Sequence, residues 1–225
     1  MKYVIMCGGN YGDFETPKQL TIINSETLVD RTIRLLKENG VNEIYITSND
    51  KRFDKCNAPR LEHNNTYKAM GDKLEGYWLD AFYPYFKPTD KVCFLFGDVY
   101  YSEAAIRTIV RFKCTKNTLF GTSDAKNEFH ENWGEPFGYK VIDYDTFMKG
   151  VAAVKEMQDK GLTKRIPIVW ELYRYLNGLD VNIQQVLDDT YVCIDDETMD
   201  TDTPEKAKNL KNKIESMVWL WKRSI

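Results

Sequence analysis

The sequence is poor in histidine and has no paired cysteine motif. Its two histidines, His63 and His130, lie far apart along the chain, so we do not expect a metal site built on histidine. The five cysteines are odd in number and form no Cys-x-x-Cys pair, which argues against a disulfide framework and against a zinc site. We therefore expect buried, reduced thiols and a cytoplasmic location.

A strong excess of charge and long apolar runs are also missing. The formal net charge of −3 argues against a protein that binds nucleic acid through a basic surface. No apolar run approaches the roughly 20 residues of a membrane-spanning helix, and the N-terminus lacks the regions of a secretory signal. With 225 residues, 43% of them hydrophobic, the chain is expected to form one domain without nucleic acid or membrane partners.

The first twenty residues carry a pattern typical of a phosphate site. A short apolar strand at residues 3–6 is followed by Cys7, Gly8, Gly9 and Asn10, and a polar loop then ends in Pro17-Lys18. Paired glycines let bare backbone approach a ligand, and backbone N–H groups can bind an anion. A simple glycine turn is the alternative, but a lysine shortly afterwards, able to close over the same phosphates, favours a functional site, although the spacing is not that of a P-loop.

Apolar runs typical of strands alternate with patterns typical of helices. We predict strands at residues 3–6, 43–47, 92–96, 119–122, 137–141 and 191–194, with 92–96 central and an antiparallel pair in the second half. We predict helices at residues 25–39, 72–86, 147–157 and 169–176, one after Ser102, and a last one that Thr203-Pro204 opens. This alternation predicts an α/β fold, with a mostly parallel mixed sheet flanked by helices.

Two acidic segments follow predicted strands. Gly97-Asp98 ends the central strand, and parallel strands bring their carboxyl ends to one edge, so Asp98 is expected near the glycine pair. Asp200 and Asp202 come just before the final helix. Asp98 could instead be a turn residue, and the Asp-Thr-Pro-Glu run that starts at Asp202 is also a good helix start.

Together, these three segments resemble the GT-A-like nucleotidyltransferases, which include sugar-phosphate, choline-phosphate, molybdopterin and sugar-acid nucleotidyltransferases. The resemblance covers roughly residues 1–210. It implies a Rossmann-like nucleotidyltransferase fold and a Mg²⁺-dependent reaction of a nucleoside triphosphate with a small phosphorylated metabolite. Pyrophosphate would be released. About residues 1–115 would bind the nucleotide, and residues 116–225 would bind the acceptor.

The resemblance also implies roles for individual residues. Gly8, Gly9 and Asn10 would lie along the nucleotide, and Lys18 would neutralise phosphate charge in the transition state. Asp98 would act in catalysis by binding Mg²⁺, with Asp202 as second ligand and Asp200 as the fallback. One departure is the loop at residues 11–16, which lacks the arginine usual in relatives and holds two acids. Backbone amides or another cation would have to replace that arginine.

The sequence indicates the identity of the nucleobase and of the acceptor less clearly than it indicates the reaction. Gly71, Asp72 and Lys73 correspond to the base-reading segment of the family, and CTP is slightly favoured because short, compact relatives act as cytidylyltransferases. Composition alone suggests acceptor contacts: aromatic stacking by Tyr100, Trp133 and Tyr139, phosphate binding by Lys140 and Arg165, and a polar contact from Glu135 in the same loop as Trp133. Packing roles are the alternative for Trp133 and Tyr139.

Two other functions stay open. A glycosyltransferase of the same architecture would normally carry Asp-x-Asp after the central strand, but Asp98 is followed by Val99-Tyr100. A non-catalytic, nucleotide-binding regulatory homologue would fit the missing loop arginine. The apolar side chains of residues 217–221 could cover the sheet or form a homodimer contact. For an active enzyme, we expect a sugar phosphate or an alcohol phosphate of surface polysaccharide synthesis as acceptor.

Overall fold

The computed structural model describes residues 1–8, 14–63, 68–70, 73–123 and 134–223, and gives the backbone alone for residues 68–70, 73, 74, 215 and 217–223. The strands in these ranges are β1 (Lys2–Met6), β2 (Ile22–Ile23), β3 (Glu26–Thr27), β4 (Ile44–Thr47), β5 (Arg60–Leu61), β6 (Lys68–Met70), β7 (Lys73–Glu75), β8 (Val92–Phe96), β9 (Val99–Tyr100), β10 (Thr118–Gly121), β11 (Pro136–Val141), β12 (Tyr191–Cys193) and β13 (Met199–Asp200). The α-helices are α1 (Leu28–Glu38), α2 (Glu103–Arg111), α3 (Tyr144–Asp159), α4 (Val169–Leu176) and α5 (Pro204–Arg223), and 3₁₀ turns occur at Lys18–Leu20, Lys51–Lys55 and Trp78–Phe82.

Seven strands form one mixed sheet in the order β12-β10-β11-β8-β1-β4-β5. β11 runs antiparallel to β8 and β10, and the other neighbouring pairs are parallel. All five residues of β8 are buried, and successive strand residues point to opposite faces, so both faces of the sheet are covered. The mostly parallel mixed sheet, the central place of β8 and the antiparallel pair are confirmed.

Helix starts follow from local capping. The hydroxyl oxygens of Thr27 and Ser102 accept hydrogen bonds from the backbone N–H groups of Asp30 and Ala105, which begins α1 and α2. At α5, Thr203 accepts from the backbone N–H of Lys206 at 3.2 Å, and Pro204 takes the first helical position, as the sequence predicts. α1 contacts α2 and α3 contacts α4, which gives two packed helix pairs.

The helix predicted at residues 72–86 is wrong. The segment forms β7 and then only the 3₁₀ turn Trp78–Phe82. Gly76 has φ +79°, in the left-handed region, and Tyr83 is extended before Pro84, so neither end can continue a helix. Leu79 and Phe82, three residues apart, are both buried, which a 3₁₀ turn achieves as well as an α-helix does.

The hydrophobic core runs from Tyr3 to Ile194 and joins both halves of the chain. All five cysteines lie in the described ranges and are free. Cys7 and Cys93 are buried as expected, but Cys193 is exposed, because the run that holds it forms an edge strand. Among the described residues, no helix has the length and apolar character needed to cross a bilayer.

Candidate active site

Lys18 lies between two carboxylates at the carboxyl edge of the sheet. Its Nζ is 2.5 Å from Oδ2 of Asp98 and 2.9 Å from Oδ1 of Asp202. The side chain of Lys18 is only 16% exposed. Burial lowers the pKa of Lys18, but Asp98 and Asp202 more than offset this, so its pKa lies above the usual value. The fold thus brings together residues from positions 18, 98 and 202 of the chain.

A close backbone contact places Asp98 beside the end of β1. The N–H of Gly97 donates to the carbonyl of Met6 at 3.0 Å. A Cβ at Gly97 would lie 2.6 Å from Sγ of Cys7 and 2.7 Å from that same carbonyl oxygen. Only glycine fits between the two strand ends, and this fit delivers Asp98 to the site.

The segment before α5 is connected to Asp98 by hydrogen bonds. Strand β13 pairs antiparallel with β9, with Asp200 opposite Val99. The backbone N–H and the hydroxyl of Thr201 both donate to the carbonyl of Asp98, at 2.9 and 2.8 Å. Because Thr201 is fully buried, its neighbours Asp200 and Asp202 are held near Asp98 by the fold itself.

A second cation, Lys206, completes the cluster. Its Nζ donates to Oδ1 of Asp200 at 2.6 Å, and lies 3.6 Å from Oε1 of Glu135 and 4.0 Å from Oδ2 of Asp202. Burial, with the hydrogen bond and charge of Asp202, raises the pKa of Asp200 to about 8. Burial opposes ionisation of Asp202, but its hydrogen bond to Asp200 and the charge of Lys18 lower its pKa below the usual value.

Sequence reasoning missed Lys206, although a signal was present. Lys206 lies in the first turn of α5, where the helix dipole disfavours a positive charge. A cation at that position needs nearby carboxylates, and the preceding segment supplies Asp200 and Asp202. Lys206 is thus a candidate for the cation that the loop at residues 11–16 lacks.

The carboxylates have the donor chemistry that Mg²⁺ prefers. Within the described parts of the chain, no group of three or more histidine, cysteine or carboxylate side chains is arranged to bind a metal ion. Mg²⁺, however, is usually held by only one or two carboxylates, together with water and substrate phosphate. Oxygens of Asp98 and Asp202 already meet on one cationic atom, Nζ of Lys18, so the two residues fit such an ion.

Gly8 lies under the imidazole of His63. A Cβ at Gly8 would be 2.3 Å from Nε2 of His63, so the bare glycine backbone accommodates the ring. The other predicted nucleotide contacts are not described: Gly9, Asn10, Gly71 and Asp72 lie outside the described residues, and Lys73 begins β7 without a described side chain. Their roles stay predictions.

Because His63 is half-buried, we expect the stability of the folded protein to decrease at acidic pH. Burial lowers its pKa, so the folded protein holds the neutral ring more strongly than the unfolded chain, whose histidine pKa is about 6.5. The contribution of His63 to the free energy of unfolding is fully present above the unfolded pKa of about 6.5, and it is lost as the pH falls through the lower pKa of the folded protein. His63→Gln should therefore flatten the acid limb of stability against pH. The chain has two histidines, so NMR titration should show two resonances, one lost in this variant; a His63 pKa at or above 6.5 would contradict the expectation.

The predicted acceptor contacts separate into core and site residues. Tyr139 is fully buried against Phe147, with ring centroids 5.2 Å apart, so its packing interpretation is correct. Tyr100 is also buried, and the guanidinium of Arg31 already covers its ring at 4.5 Å. Neither aromatic face is open to a substrate. Glu135 does reach the site, through its ion pair with Lys206. Trp133 lies outside the described residues.

Lys140 is not available to an acceptor phosphate, which corrects the expectation from the sequence. It is only 4% exposed, and its Nζ donates to the carbonyls of Ile109, Val110 and Phe112 at the end of α2. Since β11 is antiparallel to β8, Lys140 lies opposite Cys93, towards the end of the sheet away from Asp98. Its charge stabilises the carboxyl end of a helix.

A Lys140→Met substitution is expected to lower the free energy of unfolding by about 2 kcal/mol, because buried carbonyls lose their donor. The acceptor KM should not change. Urea unfolding and steady-state kinetics measure the two effects, with Lys149→Met as control because Lys149 is 76% exposed. A raised acceptor KM at unchanged stability would restore the phosphate role.

No protein-family model matches the sequence, and a search of curated proteins finds no match. Solved structures do match over nearly the whole chain. CTP:phosphocholine cytidylyltransferase from Streptococcus pneumoniae aligns with a TM-score of 0.54 and 16% identity, covering 95% of this chain and 98% of that one. The fold is that of the nucleotidyltransferases.

Two further solved structures with this fold are named for other substrates. A Bacillus anthracis protein assigned as a glucose-1-phosphate thymidylyltransferase aligns with a TM-score of 0.59 and 15% identity, covering 94% of each chain. The 4-diphosphocytidyl-2C-methyl-D-erythritol synthase from Anaerococcus prevotii aligns with a TM-score of 0.58 and 10% identity, covering 95% of this chain and 97% of the other. The resemblance to sugar-phosphate and choline-phosphate nucleotidyltransferases is thus confirmed at the level of the fold.

Proposed function

We propose that the protein is a nucleotidyltransferase that couples a nucleoside triphosphate to a small phosphorylated acceptor. The observation that carries this proposal is the position of Lys18 between Asp98 and Asp202, at the edge of the sheet where ligands of such folds bind. The nucleotidyltransferase fold supports the same reaction class.

In this reaction an oxygen of the acceptor phosphate attacks the α-phosphorus of the triphosphate. The bond from the α-phosphorus to the oxygen that bridges to the β-phosphorus breaks, and its electron pair leaves with pyrophosphate. Such chemistry needs positioning and charge stabilisation more than covalent help from the protein. The ammonium group of Lys18 would stabilise the charge on the reacting phosphates, and its raised pKa keeps it protonated at neutral pH.

Asp98 and Asp202 are the residues that would hold Mg²⁺, and a bound ion would neutralise phosphate charge in the site. The buried Thr201 keeps both carboxylates in place through its two hydrogen bonds to the Asp98 carbonyl. Lys206 would balance the charge of Glu135, and Asp200, whose pKa is about 8, is mostly protonated at neutral pH. The site therefore presents few uncompensated carboxylates to an anionic substrate.

For the substrates we propose CTP first and a sugar phosphate or alcohol phosphate as acceptor. The compact size of the chain supports CTP. The test is a screen for pyrophosphate release that crosses the common ribonucleoside triphosphates and dTTP with sugar phosphates, phosphocholine and phosphorylated amino acids. Release that requires both substrates and Mg²⁺ is the expected result.

The alternatives give no pyrophosphate in this screen. A glycosyltransferase would instead release a nucleoside diphosphate when a nucleotide sugar is supplied as donor. A non-catalytic homologue would bind nucleotide without turnover. Either outcome would overturn the proposed function.

A further inference from the structure

A cavity of about 570 Å³ lies beside α4, and its lining includes Arg165, which the sequence suggests as an acceptor contact. This volume is within the usual range of small-molecule sites. Its walls come from α4 and from the segments before and after that helix. The lining residues that matter below are Gly134, Lys164, Arg165, Glu171, Arg174 and Val181.

The charged lining residues are mostly basic. Lys164, Arg165 and Arg174 face a single acid, Glu171. Both oxygens of Glu171 are already used: Oε1 accepts from Nε of Arg165 at 2.8 Å, and Oε2 accepts from the backbone N–H of Ile168 at 2.9 Å. The cavity therefore has a positive excess that its own carboxylate does not neutralise.

Arg174 is the most informative wall residue, because it is a buried cation without a full set of partners. It is 5% exposed, and its Nη1 donates to the carbonyl of Val181 at 3.1 Å. Glu171 lies 3.7 Å from Nη1, beyond hydrogen-bond distance, and Nε finds no acceptor within the described residues. Burial lowers its pKa below the usual value, and the charge of Glu171 offsets only part of this.

A buried N–H group without an acceptor is unfavourable, and a ligand that supplies the acceptor would remove this cost. An arginine with free donors suits a carboxylate or a phosphate, which it can bind with two parallel hydrogen bonds. Lys164 and Arg165 at the exposed side of the cavity would attract the same anion.

A short backbone segment links the cavity to the catalytic cluster. Nε1 of Trp170 donates to the carbonyl of Gly134 at 2.8 Å, and Gly134 lines the cavity. The next residue, Glu135, forms the ion pair with Lys206. One molecule with its reacting phosphate at the cluster could therefore extend past residues 134–135 towards Arg174.

We propose that this cavity binds a second anionic group of the acceptor, a carboxylate or a phosphate separate from the one that reacts. That the bound molecule is the acceptor rests on the proposed function; that the cavity binds an oxyanion does not. The acceptor class is then a phosphorylated compound with a second acidic group. Cationic compounds such as phosphocholine are disfavoured by the basic walls.

Binding is tested first without any enzymatic assay. Arginine Nε–H resonances are followed by ¹H–¹⁵N NMR, at constant ionic strength, while inorganic phosphate or malonate is added. The Nε–H signal of Arg174, assigned through its own backbone, should shift and saturate. In the doubly substituted Lys164→Gln, Arg165→Gln protein, Kd should rise about tenfold, as expected for the loss of a charge-assisted hydrogen bond.

The control for this titration is Lys149→Gln, which removes an exposed charge on α3 and should leave Kd unchanged. An Arg174 signal that does not move would overturn the proposal, as would equal Kd values for the double variant and the wild type. Both changed positions are exposed, so the double variant is expected to fold. The relative response to phosphate and malonate shows which oxyanion the cavity prefers.

The second test uses matched acceptors in the pyrophosphate assay. Phosphoserine is compared with phosphoethanolamine, and 3-phosphoglycerate with glycerol 3-phosphate, since each pair differs mainly by a carboxylate. The acidic member should have the lower KM, and the double variant should remove the difference. Equal KM values within the pairs, or a preference for phosphocholine, would refute the acidic acceptor while leaving the proposed function intact. An NMR response without turnover of any acceptor would refute the proposed function and keep the anion site.

Discussion

Replacing Lys18 by glutamine is expected to lower kcat/KM for pyrophosphate release by about 10²- to 10³-fold, the usual cost of removing one preorganised group that stabilises developing charge. The substitution also leaves Asp98 and Asp202 facing each other without the cation between them. A triphosphate then meets negative charge where the wild type offers an ammonium group. Steady-state kinetics with the substrate pair found in the screen measure the loss.

A matched ion pair at the opposite edge of the sheet serves as control for Lys18→Gln. Nζ of Lys2 lies 2.6 Å from Oδ1 of Asp90, at the start of β1. Lys2→Gln removes a lysine–aspartate pair of the same kind, far from the carboxyl edge, and should leave kcat/KM unchanged. If both variants lost activity equally, or if Lys18→Gln kept wild-type kinetics, Lys18 would have no catalytic role.

A Gly97→Ala substitution should be the most destabilising single methyl addition near the site. Its Cβ would lie 2.6 Å from Sγ of Cys7 and 2.7 Å from the carbonyl oxygen of Met6, and both neighbours are buried. Inserting volume into a packed core usually costs about 1–3 kcal/mol, and here β1 and β8 would also have to separate. We expect a loss near 3 kcal/mol in urea unfolding, with lower activity because Asp98 moves.

Gly161→Ala provides a comparison for Gly97→Ala. Gly161 has φ +66° and nothing within 4 Å of the added Cβ, so only backbone strain of about 1–2 kcal/mol applies there, without loss of activity. Removing the sulfur by Cys7→Ala should recover part of the stability lost in Gly97→Ala. No recovery, together with a loss no larger than that of Gly161→Ala, would show that the close approach at Gly97 is unimportant.

The sheet could be predicted because its strands are strongly apolar. Val92–Phe96 has no polar residue, which is typical of a strand covered on both faces, and it is the middle strand of seven. The position of Asp98 beside the end of β1 then follows from parallel topology, which places the carboxyl ends of strands at one edge. Asp202 is expected only from the family resemblance, and the antiparallel pairing of β13 with β9 brings it to the site.

Strand direction also explains where prediction from sequence fails. Lys140 lies near the carboxyl end of an apolar strand, where a parallel strand would place it at the active-site edge. However, β11 runs antiparallel to its neighbours β8 and β10, so its carboxyl end and Lys140 lie at the opposite edge of the sheet. Lys206 and Arg174 escaped notice for a different reason. Periodicity of apolar residues shows which face of a helix is buried, but it does not show that Lys206 pairs with Asp200 or that Arg174 lines a cavity.

The most direct test of the central claim follows the two ends of the triphosphate separately. The substrate pair from the screen is incubated with the wild-type enzyme and Mg²⁺, once with α-³²P-labelled and once with γ-³²P-labelled nucleotide. Nucleotidyl transfer at the Lys18 cluster predicts the α label in the acceptor product and the γ label in pyrophosphate, with both lost in Lys18→Gln and kept in Lys2→Gln. Appearance of the γ label in the acceptor or in inorganic phosphate would contradict it.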